Sequence, residues 1–198
     1  KSTWESLGRP RVIAACASCC KTLREALPEV SVVSLWEVLD TECPSLSFRE
    51  EACCGGVPTL SIHDPCSARH DEAWLRSVRS LLSKRGFPFE EPRLSGETTP
   101  CCGYGGLTWD ANPQLASAIA ADRAGQLEHD AVTSCIMCRE RLVAEGKPSL
   151  HMLDLLYPGE SLHAAATAKG SGLSARRAGR AALRTEVLRR YAGESVAE

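Results

Sequence analysis

The chain has 198 residues and a formal net charge of −2, with 43% hydrophobic and 24% charged residues. That balance predicts a packed core rather than a disordered chain, and it argues against general nucleic-acid binding. No apolar run is long enough for a transmembrane helix, and residues 1–15 lack a secretory-signal pattern. A cytoplasmic protein is expected, membrane-associated only through partners.

Eleven cysteines are the most informative part of the composition. A secreted disulfide scaffold is usually short, with an even cysteine count and little regular structure. This chain is longer, its count is odd and its pattern is rich in helix. Reduced, clustered thiols therefore fit better, and these point to metal or redox chemistry.

In chain order, Arg11 to Ala15 reads as a short buried strand that runs into Cys16. A helix follows through Lys21, Leu23, Arg24 and Leu27 to Pro28. Val30 to Ser34 is strand-like, and Leu35 to Leu39 forms a short apolar helix. Residues 40–58 look irregular and contain Cys43 and Cys53-Cys54-Gly55-Gly56. Thr59 to His63 is a strand delivered into Asp64-Pro65-Cys66. Helical spacing of Trp74, Leu75, Val78, Leu81 and Leu82 predicts a helix over 67–85, stopped by Gly86 and Pro88. A polar stretch leads to Cys101-Cys102-Gly103-Tyr104-Gly105-Gly106. Pro113 opens a helix that continues to Leu127. Ala131 to Ser134 is a strand meeting Cys135, and the next helix carries Cys138 and Leu142. His151 to Tyr157 adds a further helical turn or two. Residues 174–191 read as a basic amphipathic helix after a Gly/Ser-rich linker, and residues 161–198 carry seven Lys/Arg against three Asp/Glu. That tail suits an acidic partner or a membrane surface, although a solvated face is the simpler expectation.

Strands alternating with helices predict an α/β fold with a mainly parallel sheet. Cys16, Cys66 and Cys135 each fall directly after a strand and before a helix. Ligands of open α/β sheets bind at that end of the strands, where helix N-termini favour thiolate over thiol. An internal echo reinforces the pattern. Val12 to Cys19 resembles Ala131 to Cys138, and Leu35-Trp36-Glu37-Val38-Leu39 resembles Met152-Leu153-Asp154-Leu155-Leu156. The expected architecture is two related Rossmann-like units, the first truncated, plus a C-terminal helical tail. Its boundaries are a partial first unit at 1–56, a complete second unit at 57–160 and a linker with basic helix at 161–198.

The second unit contains Cys66, Cys101-Cys102-Gly103 and Cys135-x-x-Cys138. CxxC alone occurs in zinc sites, redox sites and clusters. Adjacent Cys101 and Cys102 suit a multinuclear centre better than one tetrahedral ion, because neighbouring side chains diverge. Gly103, Gly105 and Gly106 let the backbone turn and present N–H groups to sulfides.

This pattern resembles the cysteine-rich CCG domain over about residues 10–160, and His63-Asp64-Pro65-Cys66 with Arg69 resembles the start of its second repeat. The domain occurs in the cysteine-rich subunit of heterodisulfide reductase. It also occurs in iron–sulfur subunits of glycolate oxidase, lactate-utilisation and anaerobic glycerol-3-phosphate dehydrogenase systems. The resemblance implies an iron–sulfur cluster, of 4Fe-4S or noncubane type, held by Cys66, Cys101, Cys102, Cys135 and Cys138. Zinc in one motif of some succinate–quinone reductase relatives makes a zinc site the alternative. Cys16 and Cys19 match the closing CxxC of a first unit whose lone Cys and CCG are missing. Together with Cys53 and Cys54 they are candidates for a second site. The absent part is expected on another segment or chain, or the protein keeps one cluster. Cys20 and Cys43 are expected to be buried inert thiols.

Among the remaining residues, His63 is expected to be a structural hydrogen-bond partner, with cluster tuning or proton transfer as its functional alternative. Asp64 is expected to cap the helix beginning near Cys66. Trp36, Trp74 and Trp109 are expected in the core or an interface. The expected function is an iron–sulfur redox subunit of an oxidoreductase complex. Its partner is a flavoprotein or ferredoxin-type subunit, and its substrate a disulfide or quinone. No dinucleotide fingerprint or phosphate loop is present, so a flavin would belong to the partner. The competing expectation is a redox-silent zinc module for structure or interaction.

Overall fold

The computed structural model describes residues 1–43, 57–159 and 161–191. Two parallel sheets and the helices around them make a compact body from Lys1 to Ala168, and Lys169 onward forms a separate unit. After helix α1 (Ser2–Ser6), strand β1 (Val12–Ala14) leads through helix α2 (Ala17–Ala26) to strand β2 (Val32–Ser34) and helix α3 (Leu35–Glu42). The strands pair in parallel, Val12 opposite Val32 and Ala14 opposite Ser34.

The larger sheet contains strands β3 (Leu60–His63), β4 (Phe89–Glu90), β5 (Asp130–Thr133) and β6 (Ser149–His151), all parallel, in the order β4-β3-β5-β6. Helix α4 (Glu72–Lys84) connects the first two, and helices α5 (Thr108–Ala111) and α6 (Pro113–Gly125) cross to β5. Helix α7 (Ile136–Ala144) leads to β6, which runs into helices α8 (Met152–Leu156) and α9 (Leu162–Thr167). From β3 the chain moves outward one way to β4, then returns to build β5 and β6 on the other side. The boundary between β3 and β5 is thus a topological switch point, where loops leaving adjacent strand ends part and open a crevice.

The internal echo is present as structure. Val12, paired with Val32, corresponds to Ala131, paired with Ser149. Ser34 and Glu37 form a reciprocal capping box at the start of α3, and His151 and Asp154 form the same box at α8. Each box satisfies two backbone donors that a helix start leaves without intrahelical partners. Ser34→Ala is expected to lower stability by about 1 kcal/mol, read as an earlier midpoint in urea unfolding with an unchanged slope.

One buried cluster joins both sheets. Trp36 from α3 and Trp74 from α4 are completely buried and pack edge to face at 6.1 Å between ring centroids. Ile62, Val132 and Leu150, from three neighbouring strands, lie in the same cluster. The indole N–H of Trp74 donates to Ser134 Oγ at 2.9 Å, tying α4 to the turn that ends β5.

Several expectations change in detail. The helix after Cys66 is not continuous: a 3-10 turn spans Cys66–Ala68, and α4 begins only after Asp71, whose carboxylate accepts the Trp74 N–H. Asp64 therefore caps nothing. Its carboxylate accepts from both terminal nitrogens of Arg79 and from Gly96 N. The compact body extends to Ala168: Ala166 of α9 is buried and Arg139 donates to Ala165 O. Helix α10 (Leu173–Tyr191) forms as expected, but Leu183 and Val187 share a side with Arg176 and Arg180 at the helical rotation of about 100° per residue. Apolar and basic side chains are therefore not segregated on it. No helix among the described residues is long and apolar enough to cross a membrane.

Candidate metal centre

The ends of β3 and β5 are adjacent, His63 opposite Thr133, so the residues that follow them meet across the switch point. Cys66 opens the 3-10 turn after β3, and Cys135 is the N-cap of α7 after β5. Cys138 lies one turn into α7 and is buried. The third contribution is the loop carrying Cys101 and Cys102. Arg69 Nε donates to Thr99 O at 2.8 Å, and buried Thr99 donates from Oγ1 to Asp64 O, so the loop is tied to the end of β3. All five cysteines that the sequence assigns to the second unit converge there. In the order Cys66, Cys101, Cys102, Cys138 and Cys135, each thiol lies close enough to the next to shift its titration.

Two of these thiols are lowered and three are raised. Hydrogen bonds from Cys102 and Cys66 hold the Cys101 thiol far below the usual range, helped by the N–H groups of Gly103 and Gly105. Gly103 N lies 3.3 Å from Cys101 Sγ. The bond to Cys138 lowers Cys135 to about 6, with the N–H groups of Cys138 and Met137 adding to it at the start of α7. The other three are raised. Cys66 is raised by its bond to Cys101 and by burial, Cys102 to about 11 by its bond to Cys101, and Cys138 by its bonds to Cys102 and Cys135. Metal binding at these thiols displaces the protons that the raised ones hold.

The donor set fits an iron–sulfur centre. Five soft sulfur donors exceed the four of a closed zinc site, and soft thiolates favour zinc, copper(I) or iron–sulfur over hard cations. The loop is shaped to approach sulfur closely. Gly103 has φ of +83°, and a Cβ there would lie 2.2 Å from Ala116 O. Leu107 also occupies the left-handed region at φ 62° and is 73% exposed. Trp109, on α5 just beyond it, lies over the Arg141 guanidinium at 3.9 Å. Arg141 also reaches Ser117 and Glu145, so α7 holds α5 and α6 together beside the loop.

The remaining candidates fare differently. Cys16 is the N-cap of α2, hydrogen-bonded to Cys19, whose thiol that bond raises; both are exposed. Among the described residues no third cysteine, histidine or carboxylate joins them as a ligand group. Cys53 and Cys54 lie outside the described residues. Cys20 is 1% exposed and Cys43 is partly buried against the core, as expected for inert thiols. Trp36 and Trp74 are in the core, as expected, whereas Trp109 is 37% exposed.

Sequence reasoning missed Arg123. This α6 residue is completely buried and donates from Nε to His63 Nδ1 at 3.0 Å. It sits in an alanine-rich stretch with no feature marking it as buried. His63, 1% exposed, has a ring nitrogen within 4.8 Å of the Cys102 and Cys138 sulfurs. Burial and the neighbouring Arg123 charge lower its pKa to about 3, so the ring is neutral.

Asp64 and Arg79 brace the β3 side of the site, with Asp64 only 2% exposed and its salt bridge at 2.9 Å. Asp64→Ala would leave the half-buried Arg79 with Glu91 as its one carboxylate partner beside Leu75 O, and Gly96 N without its acceptor. A loss of about 2–3 kcal/mol is expected, smaller than for a fully buried pair because Arg79 is partly solvated. Chemical denaturation of the variant measures it.

Comparison with known proteins agrees with this geometry. Residues 60–142 match the family model described as a cysteine-rich domain, CCG. The chain is 25% identical over 162 residues to a subunit of the fumarate reductase (CoM/CoB) of Methanothermobacter marburgensis, a match covering 75% of this chain and 32% of that protein. The chain thus spans about a third of the length of this curated relative. Strand ends, loop and helix start that gather the five cysteines all lie inside the segment that matches this cysteine-rich family model, residues 60–142.

Proposed function

We propose that the protein is the iron–sulfur redox subunit, or part of it, of an oxidoreductase complex. The observation that carries this reading is the convergence of five thiols at the switch point between β3 and β5. Cys66, Cys101, Cys102, Cys135 and Cys138 are the proposed ligands, holding a 4Fe-4S or noncubane centre. Such a centre, when bound, supplies electron transfer at potentials set by its charge, its hydrogen bonds and its exposure. The chain's own residues do the rest. The N–H groups of Gly103 and Gly105 neutralise charge at Cys101, and those at the start of α7 do so at Cys135. The buried faces of β3 and β5 exclude water from one side.

The other side is more open. Tyr104, Leu107 and Trp109 are exposed along the loop, and Ile136, next to Cys135, is 48% exposed. That rim is the proposed place where electrons pass to or from a disulfide, a quinone, or a flavoprotein or ferredoxin-type partner. The name of the curated relative, a fumarate reductase (CoM/CoB) subunit, favours thiol–disulfide chemistry among these. We further propose that residues 1–56 close a unit related to 57–160, since strand pairing and capping boxes repeat. The proposed setting is cytoplasmic, with any membrane association made through partners.

Anaerobic stopped-flow spectroscopy tests the reading. Dithionite-reduced protein is mixed in turn with a mixed disulfide of two small thiols, a water-soluble quinone and an oxidised flavoprotein. Reoxidation of the visible absorbance by at least one supports the redox role. Reoxidation by none, with iron still bound, would contradict it.

A further inference from the structure

His63 and Arg123 are buried beside the five thiols but lie outside the ligand set, and their hydrogen bonding is specific. The Arg123 guanidinium has no lone pair to offer, so in the 3.0 Å contact Nε–H must donate and His63 Nδ1 must accept. A neutral imidazole that accepts at Nδ1 carries its proton on Nε2. Nε2 is buried and has no hydrogen-bond partner among the described residues. A buried N–H without an acceptor is rare and costly. The acceptors the ring approaches are the sulfurs of Cys102 and Cys138, within 4.8 Å of one of its nitrogens, and any sulfide that those residues hold. The same bookkeeping removes His63 from the ligand set. One nitrogen carries the proton, and the lone pair of the other is taken by Arg123, so none remains for a metal ion.

Arg123 has its own unmet requirement. It is 0% exposed, Nη1 donates to Gln126 Oε1 at 3.1 Å, and Nη2 is buried without a partner. A guanidinium stays charged, and a buried charge needs an opposite one. Asp64, whose charge acts on Arg123, already accepts from Arg79 and Gly96. Asp122, the preceding residue on α6, and Cys138 are the other groups whose negative charge favours the guanidinium.

We propose that Arg123 fixes the Nε2–H tautomer of His63, that His63 donates this N–H to a sulfur of the centre, and that the buried Arg123 charge balances the centre's negative charge. Arg123 is then a positioning residue, acting through His63 and through its field. Both effects favour the more negative, reduced state and hold the reduction potential up. The inference rests on the reading that the five cysteines hold an iron–sulfur cluster.

The test uses the full chain, purified anaerobically with ¹⁵N-labelled histidine, and begins with iron and sulfide content. Pulsed EPR of the paramagnetic state is expected to show weak nitrogen coupling from one histidine together with an exchangeable proton. His63→Ala and Arg123→Met are expected to keep wild-type iron per chain while the reduction potential moves lower. His63→Gln and Arg123→Lys, which keep an N–H donor and a positive charge respectively, are expected to recover part of that shift. They also carry the test if the larger changes fail to fold. Nitrogen coupling of the size of a direct ligand, or an unchanged potential with iron intact, would overturn the proposal alone. A wild-type protein without iron would overturn the cluster reading and this proposal with it.

Discussion

Cys101→Ser is expected to lower retained iron and sulfide by about tenfold or more, because it removes a ligand thiolate itself. Cys101 occupies the middle of the site. It is bonded to Cys66 on one side and Cys102 on the other, and it receives N–H groups from Gly103 and Gly105. Serine retains the shape but offers a hard, weakly acidic hydroxyl with a shorter reach than a thiolate. The loop and its N–H groups would remain, aimed at an oxygen that stays protonated. Cys20→Ser is the control, because Cys20 is a buried thiol on α2 that lies outside the site. Its iron content is expected to be unchanged while its stability falls by about 1–3 kcal/mol for burying an unsatisfied hydroxyl. Colorimetric iron and sulfide assays on both variants, purified side by side without oxygen, check the pair.

Gly103→Ala is expected to be the most damaging single methyl group in the molecule. The backbone there has φ of +83°, which alone costs an L-residue roughly 1–2 kcal/mol. The added Cβ would also sit 2.2 Å from Ala116 O and 3.1 Å from its carbonyl carbon. Those are backbone atoms of α6, so no side-chain rotation relieves the overlap. Either the loop or the helix must move, and Cys101 and Cys102 move with the loop. A total loss of roughly 3 kcal/mol or more, with partial loss of bound iron, is expected. Gly106→Ala separates the two causes, since Gly106 has φ of +64° but no atom within 4 Å of a new Cβ. It should cost only about 1 kcal/mol and leave iron in place. Thermal unfolding and iron content of both variants decide the matter.

The parts of the site visible in the sequence are those set by local chemistry. Strands β3 and β5 are short apolar runs that end directly in Asp64-Pro65-Cys66 and Ser134-Cys135, so their roles can be read from order and spacing. The echo between Val12–Cys19 and Ala131–Cys138 is visible for the same reason, and the structure repeats it in register and capping. Strand β4 is invisible because Phe89 and Glu90 give two residues no periodicity. β6 is missed because Ser149-Leu150-His151 lacks the β-branched residues that mark a strand, and the helical pattern after it dominates. Asp64 looks like a cap because it precedes a helix. It serves as an ion-pair partner instead, since Arg79, about two turns into α4, reaches back to it. Arg123 could not be found locally at all: its burial depends on His63, sixty residues earlier, lying across the sheet from α6.

The central claim is that five cysteines from two strand ends and one loop hold an iron–sulfur centre. Its most direct test is iron, zinc and acid-labile sulfide content, with an absorption spectrum, on anaerobically purified protein. About four iron and four sulfide per chain, with broad absorption near ~400 nm and little zinc, is the predicted result. Stoichiometric zinc with neither iron nor sulfide would contradict it.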